Sequence, residues 1–281
     1  MRRTDIALSV VVVGLAVFVA VAGMKRRPMA KPSISSRPPV AAGAGGSDGA
    51  TAPPPGEPTT ADSGKADAAA IVGDMAIATI KTAARAPARS LDQVRALIAE
   101  TPGTYMADMV SDLGGKLVRW PDKRQEGLRI WVQTSSAVPN WDQRYAQMAR
   151  DAFDDWSRDS ELPLRFDFVL DSASSDIRVL WSDKFPAELG QRVGTTRRTT
   201  DQYGWLVGAE IEVAIHDSTG RTIPPTALAG IVRHEAGHAL GMGHSRDQRT
   251  MMFPTELVND IHAADRETLR LLYRLPPGLA R

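Results

Sequence analysis

Apolar and polar positions are distributed very differently along this chain. From Ile6 to Met24 there are 19 residues without a charge, and Ser9 is the only polar side chain. That length crosses a bilayer as a helix. With Arg2 and Arg3 before it and Ala20-Val21-Ala22 near its end, it also has the form of a cleavable signal peptide. Both readings take the chain into a membrane, and Lys25, Arg26 and Arg27 directly after it favour a retained single-pass anchor over residues 1–27. Residues 28–65 hold eight of the 19 prolines among Ala, Gly and Ser, with no aromatic. Such a segment cannot bury enough surface to fold and reads as a disordered linker.

Residues 66–115 read as helical, a spacer or pro-segment. An Ala-rich stretch around Ile71, Met75, Ile77 and Ile80 comes first, followed by a segment opened by a capping box of Ser90 and Gln93, with Val94, Leu97 and Ile98 as its apolar stripe.

From Lys116 to the end the pattern becomes strands and helices in turn. Leu128 to Val132 is a β-rich run. Asn140 is placed to cap a long amphipathic helix in which Trp141, Tyr145, Met148, Ala149, Ala152, Phe153 and Trp156 recur at three and four. Leu164–Leu170, Ile177–Trp181 and Ile211–Ile215 are further strands. A helix over Thr226–Leu240 starts after Pro224-Pro225, with Leu228, Ile231, Val232, Ala236 and Ala239 on its apolar side.

Composition narrows the chemistry. The 281 residues are 43% hydrophobic and 24% charged, enough for one sizeable domain. Cysteine is absent, which excludes disulfide frameworks, thiolate metal sites and cysteine nucleophiles, so a bound metal must use His, Asp or Glu. The net charge of +1 conceals an asymmetry: residues 1–40 carry seven basic groups against Asp5 alone, and the remainder carries 27 basic against 32 acidic residues. A folded part with a negative balance has no general attraction for phosphate backbones, so no nucleic-acid partner is expected.

The chemistry lies in His234-Glu235-Ala236-Gly237-His238. Histidines four apart on a helix stand one turn above each other and reach one metal together. Gly241 follows three residues later, where a helix ends most easily at φ > 0. The turn there returns His244 toward the same ion, giving three nitrogen ligands with a fourth position open.

The run HEAGHALGMGH resembles the extended zinc-binding signature of the metzincin metallopeptidases. Ser245 after the third His, and Met251-Met252-Phe253-Pro254, similar to the Met-turn with Met252 as its methionine, narrow the likeness to the matrixin branch. A helix beginning near Asp265 and continuing through Leu269, Leu271, Leu272 and Tyr273 agrees with it. The resemblance spans about residues 116–276. It implies an α+β metzincin-like catalytic domain over 116–281, with a mixed twisted sheet and long helices including the active-site helix.

It further implies a zinc metalloendopeptidase with one catalytic Zn2+ on His234, His238 and His244, and Glu235 as general base to a zinc-activated water. The substrate would be a protein or peptide extended beside an edge strand, sought between Gly190 and Thr200. The family's second zinc has no matching His-rich segment between Asp183 and Ile215, and calcium is left open. The family's cysteine-based latency is impossible here.

Two rival functions are a catalytically silent zinc-stabilised binding module of the cell envelope, and a cell-wall peptide amidase. The family places the catalytic domain outside the cytoplasm, or secreted if the N-terminal segment is cleaved, whereas the Lys and Arg count around that segment would keep it inside. Oligomeric state has no signature in the sequence. His216, His262, Asp154, Asp155, Asp159, Asp171, Asp176 and the six tryptophans read as surface, turn or packing residues.

Overall fold

The computed structural model describes residues 71–82, 89–158, 161–255 and 258–280. The expected membrane segment (6–24) and linker (28–65) lie outside these residues. Among the described residues no helix is long and apolar enough to cross a membrane.

Strand β1 (Ile71–Ile80) comes first, then helices α1 (Leu91–Glu100) and α2 (Met106–Asp112) and the short strand β2 (Lys116–Leu117). Next are β3 (Lys123–Val132), α3 (Arg144–Ser157), β4 (Leu164–Val169), β5 (Ile177–Ser182), β6 (Arg192–Asp201) and β7 (Leu206–Ala214). The chain closes with α4 (Pro225–Ala239), α5 (Ala263–Arg274) and β8 (Gly278–Leu279), which pairs with β2. Six strands form one sheet in the order β1-β6-β7-β5-β3-β4. Within this sheet only the β6–β7 pair is antiparallel. The sheet is thus mixed but mostly parallel, and with the five helices among the described residues it fits the expected metzincin-like architecture.

Helix α4 is the centre of the packing. It lies against α3 and against β6 and β7, and Leu228, Ile231, Val232 and every residue from His234 to Ala239 are buried. On α3, Tyr145, Ala149, Ala152, Phe153 and Trp156 are buried, as their spacing requires. Burying a side chain such as Phe153 contributes about 2 kcal/mol. Three polar tips on these apolar bodies also hold α4 by its carbonyls. Trp156 Nε1 donates to Arg233 O at 2.7 Å, Trp120 Nε1 to Ala239 O at 2.8 Å, and Tyr273 Oη to Leu240 O at 2.9 Å. The tryptophans that anchor α4 therefore serve packing and register together.

Two sequence expectations are corrected. Ile71–Ile80 is a strand, not a helix: it pairs in parallel with β6, from Ile71 opposite Arg192 to Ile80 opposite Asp201. Backbone pairing at the sheet edge overrides the helix preference of the alanines. Asn140 does not cap α3, whose first turn follows Gln143. Asn140 instead has φ 61°, and its Nδ2 lies 3.1 Å from both His216 Nε2 and Thr222 Oγ1. The box of Ser90 and Gln93 does open α1, with bonds of 3.3 and 3.1 Å.

Candidate metal centre

Proline at the first turn of α4 costs no hydrogen bond, since those N–H groups have no helical partner. The helix stops where Gly241 takes φ 106°. A Cβ there would stand 2.3 Å from Val118 O, so only glycine makes this turn. The turn carries His244 back over α4. One ring nitrogen from each of His234, His238 and His244 lies within 4.8 Å of the others, with ring centroids 4.5, 4.8 and 5.6 Å apart.

What the other ring nitrogens do settles the chemistry. Nδ1 of His234 is 2.8 Å from Met251 O, Nδ1 of His238 is 3.0 Å from Met242 O, and Nδ1 of His244 is 3.3 Å from Asp112 Oδ1. Carbonyls and carboxylates only accept, so each Nδ1 carries the hydrogen and each Nε2 keeps its lone pair. All three Nε2 atoms are buried without a hydrogen-bond partner among the described residues. Three orphaned acceptors facing one point are costly unless a cation takes them. Burial, reinforced by the neighbouring imidazoles, pushes His234 down to about 3 and His238 well below its ordinary value. Both are therefore neutral at physiological pH, as metal ligation demands. The donor set fits zinc.

Glu235 is fully buried. Its Oε2 accepts from Thr196 Oγ1 of β6 at 2.6 Å, and Oε1 has no partner among the described residues. Burial pushes its carboxyl up to about 8, against the opposing pull of the Thr196 hydroxyl, Arg192 and Arg198. Arg198, also buried, donates through Nη1 to His238 O and Met242 O at 3.2 Å each. The same Met242 carbonyl accepts from His238 Nδ1, so one guanidinium braces the segment that orients that ring.

Met252 is fully buried against α4. A Cβ on Gly237 would come within 2.5 Å of Met252 Sδ and 2.7 Å of the Trp156 ring, so the glycine inside the motif admits this floor. The turn is held from below by Asp265, whose Oδ2 accepts from Met251 N at 3.1 Å and His262 N at 2.9 Å, while Oδ1 accepts from Tyr105 Oη at 2.8 Å.

The structure therefore brings His234, His238 and His244 together, with the Glu235 carboxylate held against Thr196 and Met252 packed against Gly237 of the same helix. Four of the remaining candidates are engaged elsewhere. His216 Nδ1 meets Asp183 Oδ1 at 2.7 Å, Asp155 pairs with Arg233, Asp171 caps a short turn through Ala173 N, and Asp176 binds Arg129. Asp159 lies outside the described residues. The substrate edge expected between Gly190 and Thr200 falls on β6, which runs beside Glu235. It is not an edge, however, because β1 covers the side away from β7. Asp112, Thr196 and Arg198 have no signature in the sequence, since each acts through partners at least 39 residues away, and Asp265 is legible there only as a helix start.

No curated protein matches the chain. The matrixin family model matches residues 119–274, more than half of the sequence. That span holds the three histidines, the glutamate between them and the methionine floor, and the donor set within it suits zinc on its own chemistry. On these grounds the chain belongs to the matrixin family and is a zinc metalloprotease.

Proposed function

We propose that the protein is an endopeptidase in which His234, His238 and His244 hold one zinc ion and Glu235 moves the proton. When bound, zinc supplies Lewis acidity, polarising a peptide carbonyl and acidifying water. Glu235 supplies the base. Its Oε1, buried and without a partner among the described residues, would take a proton from the attacking water and deliver it to the departing amine nitrogen. Thr196 fixes the other carboxylate oxygen, so the accepting atom stays aimed. A carboxyl raised to about 8 by burial holds a proton readily near neutral pH, and a cation beside it draws that value down.

The observation that carries this reading is the convergence of three Nε2 atoms that are buried without a partner among the described residues, two of them on the helix that also carries Glu235. Attachment to a membrane, with the catalytic part on the extracytoplasmic side, is supported by the sequence of residues 6–24 and the family expectation alone.

Glu235→Gln tests the reading. The variant should keep one equivalent of zinc and lose cleavage of an unfolded protein by roughly 10²–10⁴-fold. An unchanged rate removes Glu235 from the mechanism. Stoichiometric zinc in the parent with no cleavage across a broad peptide library would favour the binding module, and cleavage restricted to peptidoglycan peptides the amidase.

A further inference from the structure

The matched span begins at residue 119, yet one contact to the histidine cluster comes from before it. Asp112, the last residue of α2, accepts from the backbone N of His244 at 2.9 Å and faces its Nδ1 at 3.3 Å. The other two rings rest on neutral carbonyls of the chain's own following turns, Met251 O and Met242 O. Among the three, His244 alone has a carboxylate behind it, and it is the ring on irregular backbone rather than on α4.

Helix α2 is firmly placed to do this. Met106, Met109 and Val110 are buried, Tyr105 N donates to Thr268 Oγ1 at 3.0 Å, and Tyr105 Oη donates to Asp265. Asp112 is thus fixed relative to the Met-turn and α5 as well as to His244.

We infer that Asp112 is a positioning residue of the metal centre, which makes α2 a working part of the site and not a removable spacer. The inference rests on the three-imidazole reading above. A carboxylate accepting from Nδ1–H sets the tautomer and orientation of the ring and makes Nε2 a stronger donor. A loop-borne ligand needs that support most, because no helix holds its backbone. The rival account is that Asp112 only pins the loop through His244 N. In that case an oxygen acceptor of the same shape serves equally well.

The test is zinc affinity by chelator competition, together with the visible spectrum of the Co2+-loaded full chain, for Asp112→Asn and Asp112→Ala. Asn keeps an acceptor for the backbone N–H and loses the charge. Asp112→Asn is expected to weaken zinc about 10-fold and shift the Co2+ bands at unchanged circular dichroism, and Asp112→Ala to weaken it toward 100-fold. Parent affinity and parent Co2+ bands in Asp112→Asn overturn the inference, even if Asp112→Ala fails to fold. His244→Ala separates the two claims. If it binds zinc as tightly as the parent, the three-imidazole reading itself fails, whatever Asp112 does.

Discussion

Thr196 on β6 and Glu235 on α4 are joined by a 2.6 Å hydrogen bond from hydroxyl to carboxylate, both residues being buried. The bond ties the sheet to the helix at the proposed base. Thr196→Val keeps the shape and removes the donor, so the carboxylate loses its orientation. A buried hydrogen bond to a charged group is worth about 1.5–3 kcal/mol. If roughly half of that serves catalysis, kcat falls about tenfold with zinc content unchanged. Steady-state kinetics with metal analysis checks this, and an unaltered kcat would remove Thr196 from the catalytic arrangement.

The floor under the site is a packing device. Met252→Ala leaves a cavity against Gly237 and Trp156 and should cost about 2–5 kcal/mol of stability. Met252→Leu, of similar volume, should cost less than about 1.5 kcal/mol. Thermal unfolding of the metal-free protein separates the two, because no ligand contribution is then mixed in. Equal losses would show that volume is not what matters there.

Asp265 gathers Tyr105, Met251 and His262 onto one buried carboxylate. Asp265→Ala leaves two backbone N–H groups and a hydroxyl without acceptors, for an expected loss of about 3 kcal/mol or more. Tyr105→Phe removes one donor and should cost about 1 kcal/mol. Chemical denaturation of both variants gives the comparison. A smaller loss in Asp265→Ala than in Tyr105→Phe would contradict this network.

Asp176 accepts from Arg129 N, Nε and Nη2 at 2.9, 3.2 and 3.0 Å, linking β3 to the start of β5. Partial burial raises its carboxyl, but the Arg129 bonds outweigh that and hold it below the ordinary value. A carboxylate lowered on folding stabilises above its unfolded value of about 3.9, and the gain disappears as pH falls through the lower folded value. Arg129 is half exposed, so the contribution is about 1 kcal/mol after screening. Stability curves of parent and Asp176→Asn should lie apart at pH 6 and draw together as the pH falls below the unfolded carboxylate's value of about 3.9. A constant gap across that range would exclude the linkage.

Strand β1 covers the side of β6 that faces away from β7. Where its side chains are described, from Met75 onward, most are exposed, so backbone pairing supplies most of its hold. Removing residues 1–82 should open β6 to an extended peptide and speed cleavage of long substrates several-fold, with bound zinc unchanged. A slower or equal rate would show that β1 does not obstruct the site.

The sequence showed the metal cluster clearly because its geometry is local: two histidines one helical turn apart, and a glycine that allows the chain to return. Helix α3 was equally visible, since Tyr145, Ala149, Phe153 and Trp156 must share a buried face. The edge strand β1 shows no strand pattern in the sequence because its side chains from Ala76 to Ile80 are exposed and impose no alternation, while its alanines favour helix. Strand β6 lacked an apolar signature for another reason. Its inward positions include Thr196, Thr200 and the buried Arg198, polar residues whose partners lie on α4 and β1. Asp112 and Asp265 look like ordinary surface acids until the fold brings His244 and Met251 to them.

The central claim is that one zinc ion joins the three imidazoles. Anomalous diffraction at the zinc absorption edge from crystals of the zinc-loaded protein tests it most directly. The account predicts a single strong peak bonded to Nε2 of His234, His238 and His244. A peak that leaves out any one of these rings, or lies elsewhere on the molecule, would contradict it.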